Sequence, residues 1–541
     1  MRNWSIWNNY RKSLLSVFLI GMFVLSLFSV DWSSDLVHAG GLEIIKEILF
    51  AMLTPDLSAS ILTIALKSTF ITLAYAVAGM TLAIIIAFFL GILASGILFP
   101  TNRFFSVLKK VFRGLLGFLR AIHELVWAWL FVASFGLSPF AAIFALAIPY
   151  GGILGRIFAD MLADVDQRPI EALRSSGASK WQTIFYGYIP IVGTNILSYT
   201  MYRFECALRS SAIMSFVGLG GLGYQIQLSI NDFNYSEVWT YLYFLIILVV
   251  LVDWFSVHLR NKLNGPTKSK FVPWATVGIF ALIIASWCYV YLVDKARLLD
   301  LFSERNWQYA KKFFSNMFGI GVENPAYLNW DTWKNALGLT YETLQMSIMA
   351  IGFSAIVMFL TIMFATKSIA NGRLTMSNKW YNWIFYYFLR FCYIISRAVP
   401  ELVWAMLIVF ILKPGILPGA ICLALHNFGI LGKLCAEVID DLDERPIKNL
   451  VSSGASRWQI LMYGVMPSVM PRFLTYILYR WEVIMKTTIV VGFVGAGGLG
   501  KEFKLSMSFF HYTDLTVLLI CYVALVWMAD YISERARKIV K

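Results

Sequence analysis

The stretch DQRPIEALRSSGASKWQ, Asp166 to Gln182, returns 277 residues later as DERPIKNLVSSGASRWQ, Asp443 to Gln459. Between Val165–Pro190 and Leu442–Pro467, 15 of 26 positions are identical, and many of the matches are polar, Gly or Pro. Shared greasiness does not produce such matches. Working outward at the same offset, RAIHELVWAWLFV from Arg120 returns as RAVPELVWAMLIV from Arg397, and YRFE at Tyr202 returns as YRWE at Tyr479. FVGLGGLG at Phe216 returns as FVGAGGLG at Phe493. The chain is a tandem duplication.

Of 541 residues, 59% are hydrophobic, 16% aromatic and 14% charged. A soluble domain carries about 25% charged residues and has no interior large enough for this much apolar surface. Disordered tails, disulfide scaffolds and ordinary soluble enzymes are excluded. The expected fold class is an all-α polytopic membrane protein. Apolar runs of about 20 residues suited to spanning helices lie at 13–30, 66–98, 115–135, 139–155, 184–209 and 239–257, and again at 272–292, 343–365, 383–412, 416–431, 460–481 and 515–532. This gives a repeat of about six transmembrane helices, with a first copy over 1–260, a linker over 261–271 and a second copy over 272–541.

The net charge of +14 follows from basic cytoplasmic loops rather than from nucleic-acid binding. Basic residues cluster at Arg2, Arg11 and Lys12, in 99–114, 156–183 and 258–271, and at Arg535, Arg537, Lys538 and Lys541. The loop 31–60 has one Lys against five acidic residues, while 294–338 is mixed. Both termini are therefore expected in the cytoplasm, with an even number of spans per copy and the copies parallel. The run at 13–30 is then a retained helix, because its counterpart at 272–292 is internal. The six cysteines form no CxxC pair or Cys/His cluster, so no metal site is expected.

The loop after the fourth span of each copy carries the strongest functional signal. Asp166 suits an N-cap, Pro169 a first helical turn, Gly177 a left-handed C-terminal position, and Ser179 the next cap. Glu171-Ala172, Gly177 six residues after Glu171 and Pro190 thirteen beyond the Gly resemble the EAA motif of ABC-importer permeases. In that family the motif is a coupling helix seated on the cytoplasmic ATPase. The second copy keeps Gly454 and Pro467 but has Lys448 and Asn449 in place of Glu and Ala.

The pattern Arg397-Ala-Val-Pro-Glu-Leu-Val-Trp404, with YRWE and VGAGGLG, resembles permeases of phosphonate/phosphite-type ABC importers, two of them fused in one chain. His123 stands where the pattern has Pro, so a proline kink is expected in the second copy alone, at Pro400. The resemblance implies the type I ABC importer transmembrane fold, alternating access, two cytoplasmic ATPase subunits, an extracytoplasmic substrate-binding protein and a place in the bacterial cytoplasmic (inner) membrane. No cofactor is expected on this chain, and ATP and Mg belong to the partner subunits. Glu171, Ala172, Ser176 and Gly177, with Lys448, Asn449, Ser453 and Gly454, are the expected ATPase-coupling residues.

Charges within spans are costly and mark pathways or helix braces. Arg120/Glu124 and Arg397/Glu401 have the i,i+4 spacing of an ion pair on one helix face. Arg203, Glu205 and Arg209 recur as Arg480, Glu482 and Lys486. Counted from Ile184, Arg203 falls about 28 Å along its helix, toward the outer end, where a guanidinium suits an oxyanion. Arg120, Glu124, Arg203, Arg209, Arg397, Glu401, Arg480 and Lys486 are the candidate substrate-pathway residues, with helix bracing the alternative. Trp127 and Trp404 read as packing or as an aromatic gate.

Gly495–Lys501 matches GxxxxGK, but Glu502 follows where Ser or Thr is needed. Tight glycine packing or a broken helix is the better reading, and ATP hydrolysis must come from partners. Two other functional classes stay open. One is an ABC permease for another small solute such as an amino acid or quaternary amine. The other is an ion-coupled secondary transporter using Glu124 and Glu401.

Overall fold

The computed structural model describes residues 2–30, 32, 36–38, 40–99, 102–215, 218–263, 271–297, 303–374, 379–409, 411–443, 445–456 and 459–540, with side chains from Leu15 onward except Leu42. The expected linker falls mainly on 264–270, outside the described residues, as do Phe216 and Val217 of the first glycine-rich motif. Among the described residues the chain is helical, apart from one isolated bridge between Val37 and Leu412. Helices keep every backbone hydrogen bond internal, which a lipid surround demands.

The first copy contributes α1 (Arg2–Leu27), α2 (Gly41–Leu53), α3 (Ala59–Ser95), α4 (Arg103–Ala121), α5 (Glu124–Phe135), α6 (Pro139–Ala163), α7 (Gln167–Ser175), α8 (Ile189–Met214), α9 (Leu222–Asn231) and α10 (Tyr235–Leu263). The second contributes α11 (Phe271–Cys288), α12 (Glu304–Met317), α13 (Trp330–Thr361), α14 (Trp380–Ala398), α15 (Glu401–Val409), α16 (Ile416–Asp440), α17 (Arg445–Ser452), α18 (Met466–Gly492), α19 (Gly498–Ser508) and α20 (Tyr512–Val540). Among the described residues, seven helices are long and apolar enough to cross a membrane, or up to nine if each of two bent pairs is one span. The expected count of about six per copy is not reached on this criterion. Of α1 only Leu15–Leu27 enters this count, because the side chains before it lie outside the described residues, and α8 and α18 carry Arg203, Glu205, Arg209, Arg480, Glu482 and Lys486 within their length.

The runs expected as straight spans at 115–135 and 383–412 are broken. The chain turns by 88° between α4 and α5 and by 92° between α14 and α15. Hydropathy sums over a window and carries no direction, so a bent pair reads like a rod. The kink is not confined to the copy with proline. At the first break the His123 Nδ1 accepts a hydrogen bond from the Leu125 N–H at 3.1 Å and caps α5.

Packing divides the chain into two compact units, one of Met1–Lys46 with Met317–Lys541 and the other of Glu47–Asn316. In the unit of 47–316, α3 lies along α6 through small residues. A Cβ on Gly79 would stand 2.8 Å from Leu146 Cβ, and one on Gly91 would stand 3.1 Å from Gly155 O. Such close approach is how helices associate where water supplies no driving force. α11 packs here, with Ala275 beside Met201 of α8 and Leu259 of α10. Just past it, Asp294 Oδ2 accepts the Tyr75 hydroxyl at 3.0 Å.

In the other unit, Met349, Leu423, Phe473 and Val491 share a core drawn from α13, α16 and α18. α1 packs here. Phe23 stands edge-on to Phe353 with ring centroids 5.4 Å apart, against Gly352, where a Cβ would clash with the Phe23 ring. Sequence copies and packed units therefore do not coincide. The first helix of each copy belongs to the unit built from the body of the other.

Candidate functional site

The repeated loop folds as its residues dictate. Asp166 Oδ1 accepts the Arg168 N–H at 3.1 Å to start α7, and Asp443 Oδ1 accepts the Arg445 N–H at 3.0 Å to start α17. Gly177 at φ +85° and Gly454 at φ +78° take the left-handed position that stops each helix. Glycine alone adopts it without strain. The Ala178 N–H then closes on Leu173 O and the Ala455 N–H on Leu450 O. Ser179 with Gln182, and Ser456 with Gln459, form reciprocal caps.

Each of these short helices has one inward anchor, Ile170 or Ile447, both buried. Opposite them stand Gly187 and Gly464. A Cβ on Gly187 would lie 2.9 Å from Ile170 Cδ1, and one on Gly464 would lie 2.8 Å from Leu450 Cδ1. Glu171, Ala172, Ser176 and Gly177 are exposed, as are Lys448, Asn449, Ser453 and Gly454. The loop thus presents these polar and small residues outward from a seat fixed by one isoleucine. Both copies leave it through a widened turn, in which the Ile189 N–H bonds Ile184 O and the Met466 N–H bonds Leu461 O. Widened turns of this kind recur at functional places in helices. Sequence reasoning missed the seat glycines, although Gly187 and Gly464 are themselves a matched pair at the 277 offset.

The charges within the helices fall into two clusters per copy. Arg120 and Glu124 do not share one helix face, because α4 ends at Ala121 and α5 begins at Glu124. Arg397 and Glu401 are parted in the same way. Each Arg lies in the last turn of one helix and each Glu in the first turn of the next, where each charge complements the helix dipole. In the first copy Glu124 accepts the Ser210 hydroxyl, and Ser210 lies 2.9 Å from the Tyr150 hydroxyl. The His123 Nε2 is 3.7 Å from Glu124 Oε2. In the second copy Glu401 is buried, with His426 Nε2 3.5 Å from its Oε2.

Arg203 donates to the Tyr199 hydroxyl at 2.8 Å, and its guanidinium lies over the Tyr199 and Tyr202 rings. Arg480 instead donates to Asn427 Oδ1 at 2.9 Å. α8 continues to Met214, about 16 Å beyond Arg203 at 1.5 Å per residue. Arg203 therefore sits within the helix and not at its end. Arg209 pairs with Glu205 at 3.7 Å, and Lys486 with Glu482 at 3.5 Å. Glu482 also meets Arg537 at 3.2 Å, and Lys486 meets Asp530 at 3.5 Å. This second cluster therefore ties α18 to α20. His426, Asn427, Tyr150 and Ser210 were not picked out from the sequence. Aligning the copies by their identities hides residues that differ between them.

The glycine-rich motifs are helix–helix joints. The Leu222 N–H donates to Thr72 Oγ1 at 2.9 Å, and the Leu499 N–H to Thr343 Oγ1 at 2.9 Å. The Gly498 N–H donates to Glu342 at 3.2 Å. Backbone donors that a phosphate would need are thus spent on side chains, and a Cβ on Gly492 would lie 2.6 Å from Gly500 Cα. Trp127 stacks on Phe131 at 5.6 Å. Among the described residues no group of three or more His, Cys, Asp or Glu is placed to hold a metal ion.

Duplicated bundles of apolar helices, charges embedded at helix breaks and an exposed, capped loop in each copy define a membrane permease. Residues 87–265 and 368–541 match the family described as binding-protein-dependent transport system inner membrane component, and the chain belongs to that family. It is a multi-pass inner-membrane subunit of an ABC importer, lacks an ATPase domain, and as such implies ATPase and binding-protein partners. It is similar to the phosphate-import permease protein PhnE of Mycolicibacterium smegmatis, 29% identical over 428 residues, 79% of this chain and 76% of that protein. It is also similar to two proteins of Stutzerimonas stutzeri. The putative phosphite transport system permease protein HtxC is 32% identical over 47% of this chain and 89% of its own length. The phosphite transport system permease protein PtxC is 37% identical over 26% of this chain and 52% of its own length.

Proposed function

We propose that the chain forms the membrane path of an ATP-driven importer for a phosphorus oxyanion, phosphonate, phosphite or phosphate. Two cytoplasmic ATPase subunits, carrying ATP and Mg, dock on α7 and α17 through Glu171, Ala172, Ser176 and Gly177 and through Lys448, Asn449, Ser453 and Gly454. An extracytoplasmic binding protein delivers the anion, and alternating access passes it inward, with both termini of the chain in the cytoplasm. The observation that carries this reading is the exposed, doubly capped loop, built identically in both copies on a buried isoleucine. A transporter driven by an ion gradient has no use for two such docking helices.

Arg120, Arg203, Arg209, Arg397, Arg480 and Lys486 supply positive charge along the path, and Glu124 and Glu401 orient it. The similarity to permeases named for phosphate and phosphite supports the substrate class. The test is uptake of radiolabelled phosphonate, phosphite and phosphate by proteoliposomes holding the permease, its ATPase and its binding protein. ATP-dependent uptake of one of them is expected, reduced at least tenfold by Arg203→Ala with Arg480→Ala. Uptake that persists without the ATPase overturns the importer reading, and full activity in the arginine variants overturns the pathway role.

A further inference from the structure

The two copies have exchanged a histidine and a proline. At one position the first copy has His123 and the second Pro400, and at another the first has Pro149 and the second His426, both at the 277 offset. Both arrangements bring an imidazole Nε2 to the embedded carboxylate, Glu124 or Glu401. His123 caps the helix that carries its carboxylate while His426 stands on α16, and their other nitrogens meet opposite chemistry.

His123 Nδ1 accepts from the Leu125 N–H at 3.1 Å. An accepting nitrogen carries no proton, so the ring proton sits on Nε2 and points toward Glu124. Charging this ring would break the cap of α5. Glu124 is met by donors alone, the ring N–H and the Ser210 hydroxyl, itself beside the Tyr150 hydroxyl. Cys206 and Arg203 stand close to the same Tyr150. The first copy needs no exchangeable proton here.

His426 Nδ1 lies 2.9 Å from Val399 O. A carbonyl only accepts, so Nδ1 carries the proton. In the neutral ring the lone pair of Nε2 would then face the Glu401 carboxylate at 3.5 Å, inside a buried site where such opposition is costly. The ionisable groups shown around it are Glu401 of α15, Cys422 on the same helix, and Arg480 of α18 on the adjacent Asn427. Imidazole is ordinarily the stronger base of the two groups, so a proton held between them is assigned to the ring.

We infer that His426 and Glu401 form a proton-binding site in the second copy, with the proton on His426 Nε2, and that the first copy has no such site. The inference concerns protonation and stands whether or not the transported solute is a phosphorus oxyanion. The chain has five histidines, few enough to resolve by solid-state NMR of the 15N-histidine-labelled full-length protein in lipid. Signals are assigned with His426→Asn and His123→Asn, since the Asn side chain supplies the donor or the acceptor that each Nδ1 supplies. Between about pH 5 and 8, where histidine ordinarily titrates, His426 is expected as an imidazolium over at least part of the range. The neutral His123 ring is expected to carry its proton on Nε2. A His426 ring that is neutral at every pH, or a His123 ring whose proton sits on Nδ1, overturns the inference. In proteoliposomes, His426→Asn should remove a pH dependence of uptake that His123→Asn leaves in place, and an unchanged profile counts against coupling of this proton to transport.

Discussion

His123 and Pro400 occupy the same position in the two copies, and the chain turns by 88° at the first and 92° at the second. Two unlike residues therefore support one geometry. Proline suits the residue before a helix start because its φ is already near the required value. Histidine serves by capping, with Nδ1 on the Leu125 N–H. We expect His123→Ala to lower stability by about 1 kcal/mol, the usual worth of an N-cap, and His123→Asn to leave it nearly unchanged. Thermal unfolding of the purified protein in detergent reads the difference.

Gly177→Val and Gly454→Val each place a β-branched residue at φ +85° or +78°, a conformation that costs an ordinary residue roughly 1–2 kcal/mol. The end of α7 or α17 must shift to relieve it. Together they should abolish co-purification of the ATPase while the permease still reaches the membrane. Pull-down of the ATPase at wild-type yield would show that these helices do not dock it.

Glu482 holds Arg537 at 3.2 Å and Lys486 at 3.5 Å. Glu482→Gln leaves both cations without that charge, and breaking buried pairs costs about 3–5 kcal/mol, less here because Arg537 is partly solvated. Adding Lys486→Met should recover part of the loss. A denaturation series on the single and double variants measures it, and equal stability of wild type and Glu482→Gln would mean that the cluster does not brace α18 on α20.

The exchange of first helices makes the two copies depend on each other. Separately produced 1–263 and 271–541 should resist proteolysis only when expressed together, since each alone lacks the helix that completes its packing. Full protection of either piece by itself would contradict this.

Much of the fold was legible because duplication is a statement about identities. The 277 offset is read from those identities, and the caps Asp166 and Ser179 and the stop Gly177 follow from local chemistry that the chain carries within a few residues. The right-angle breaks were not legible, since an apolar run has the same hydropathy bent or straight. Nor was the partner of α1, because helical periodicity says which face is greasy and not which helix covers it. The seat glycines Gly187 and Gly464 became meaningful only with Ile170 and Leu450 opposite them. His426 escaped notice for a simpler reason: its signal was a mismatch, paired with a second mismatch at His123, in an alignment read for agreement.

α1 packs on helices that begin beyond Met317, roughly 290 residues after its own last turn at Leu27. At synthesis rates of about 5–20 residues per second, that helix waits on the order of 15–60 s in the bilayer before the surface it covers exists. Its place must be held meanwhile by lipid, by the insertion machinery or by a provisional neighbour. The order of synthesis, and not only the final packing, thus becomes a condition for assembling this protein.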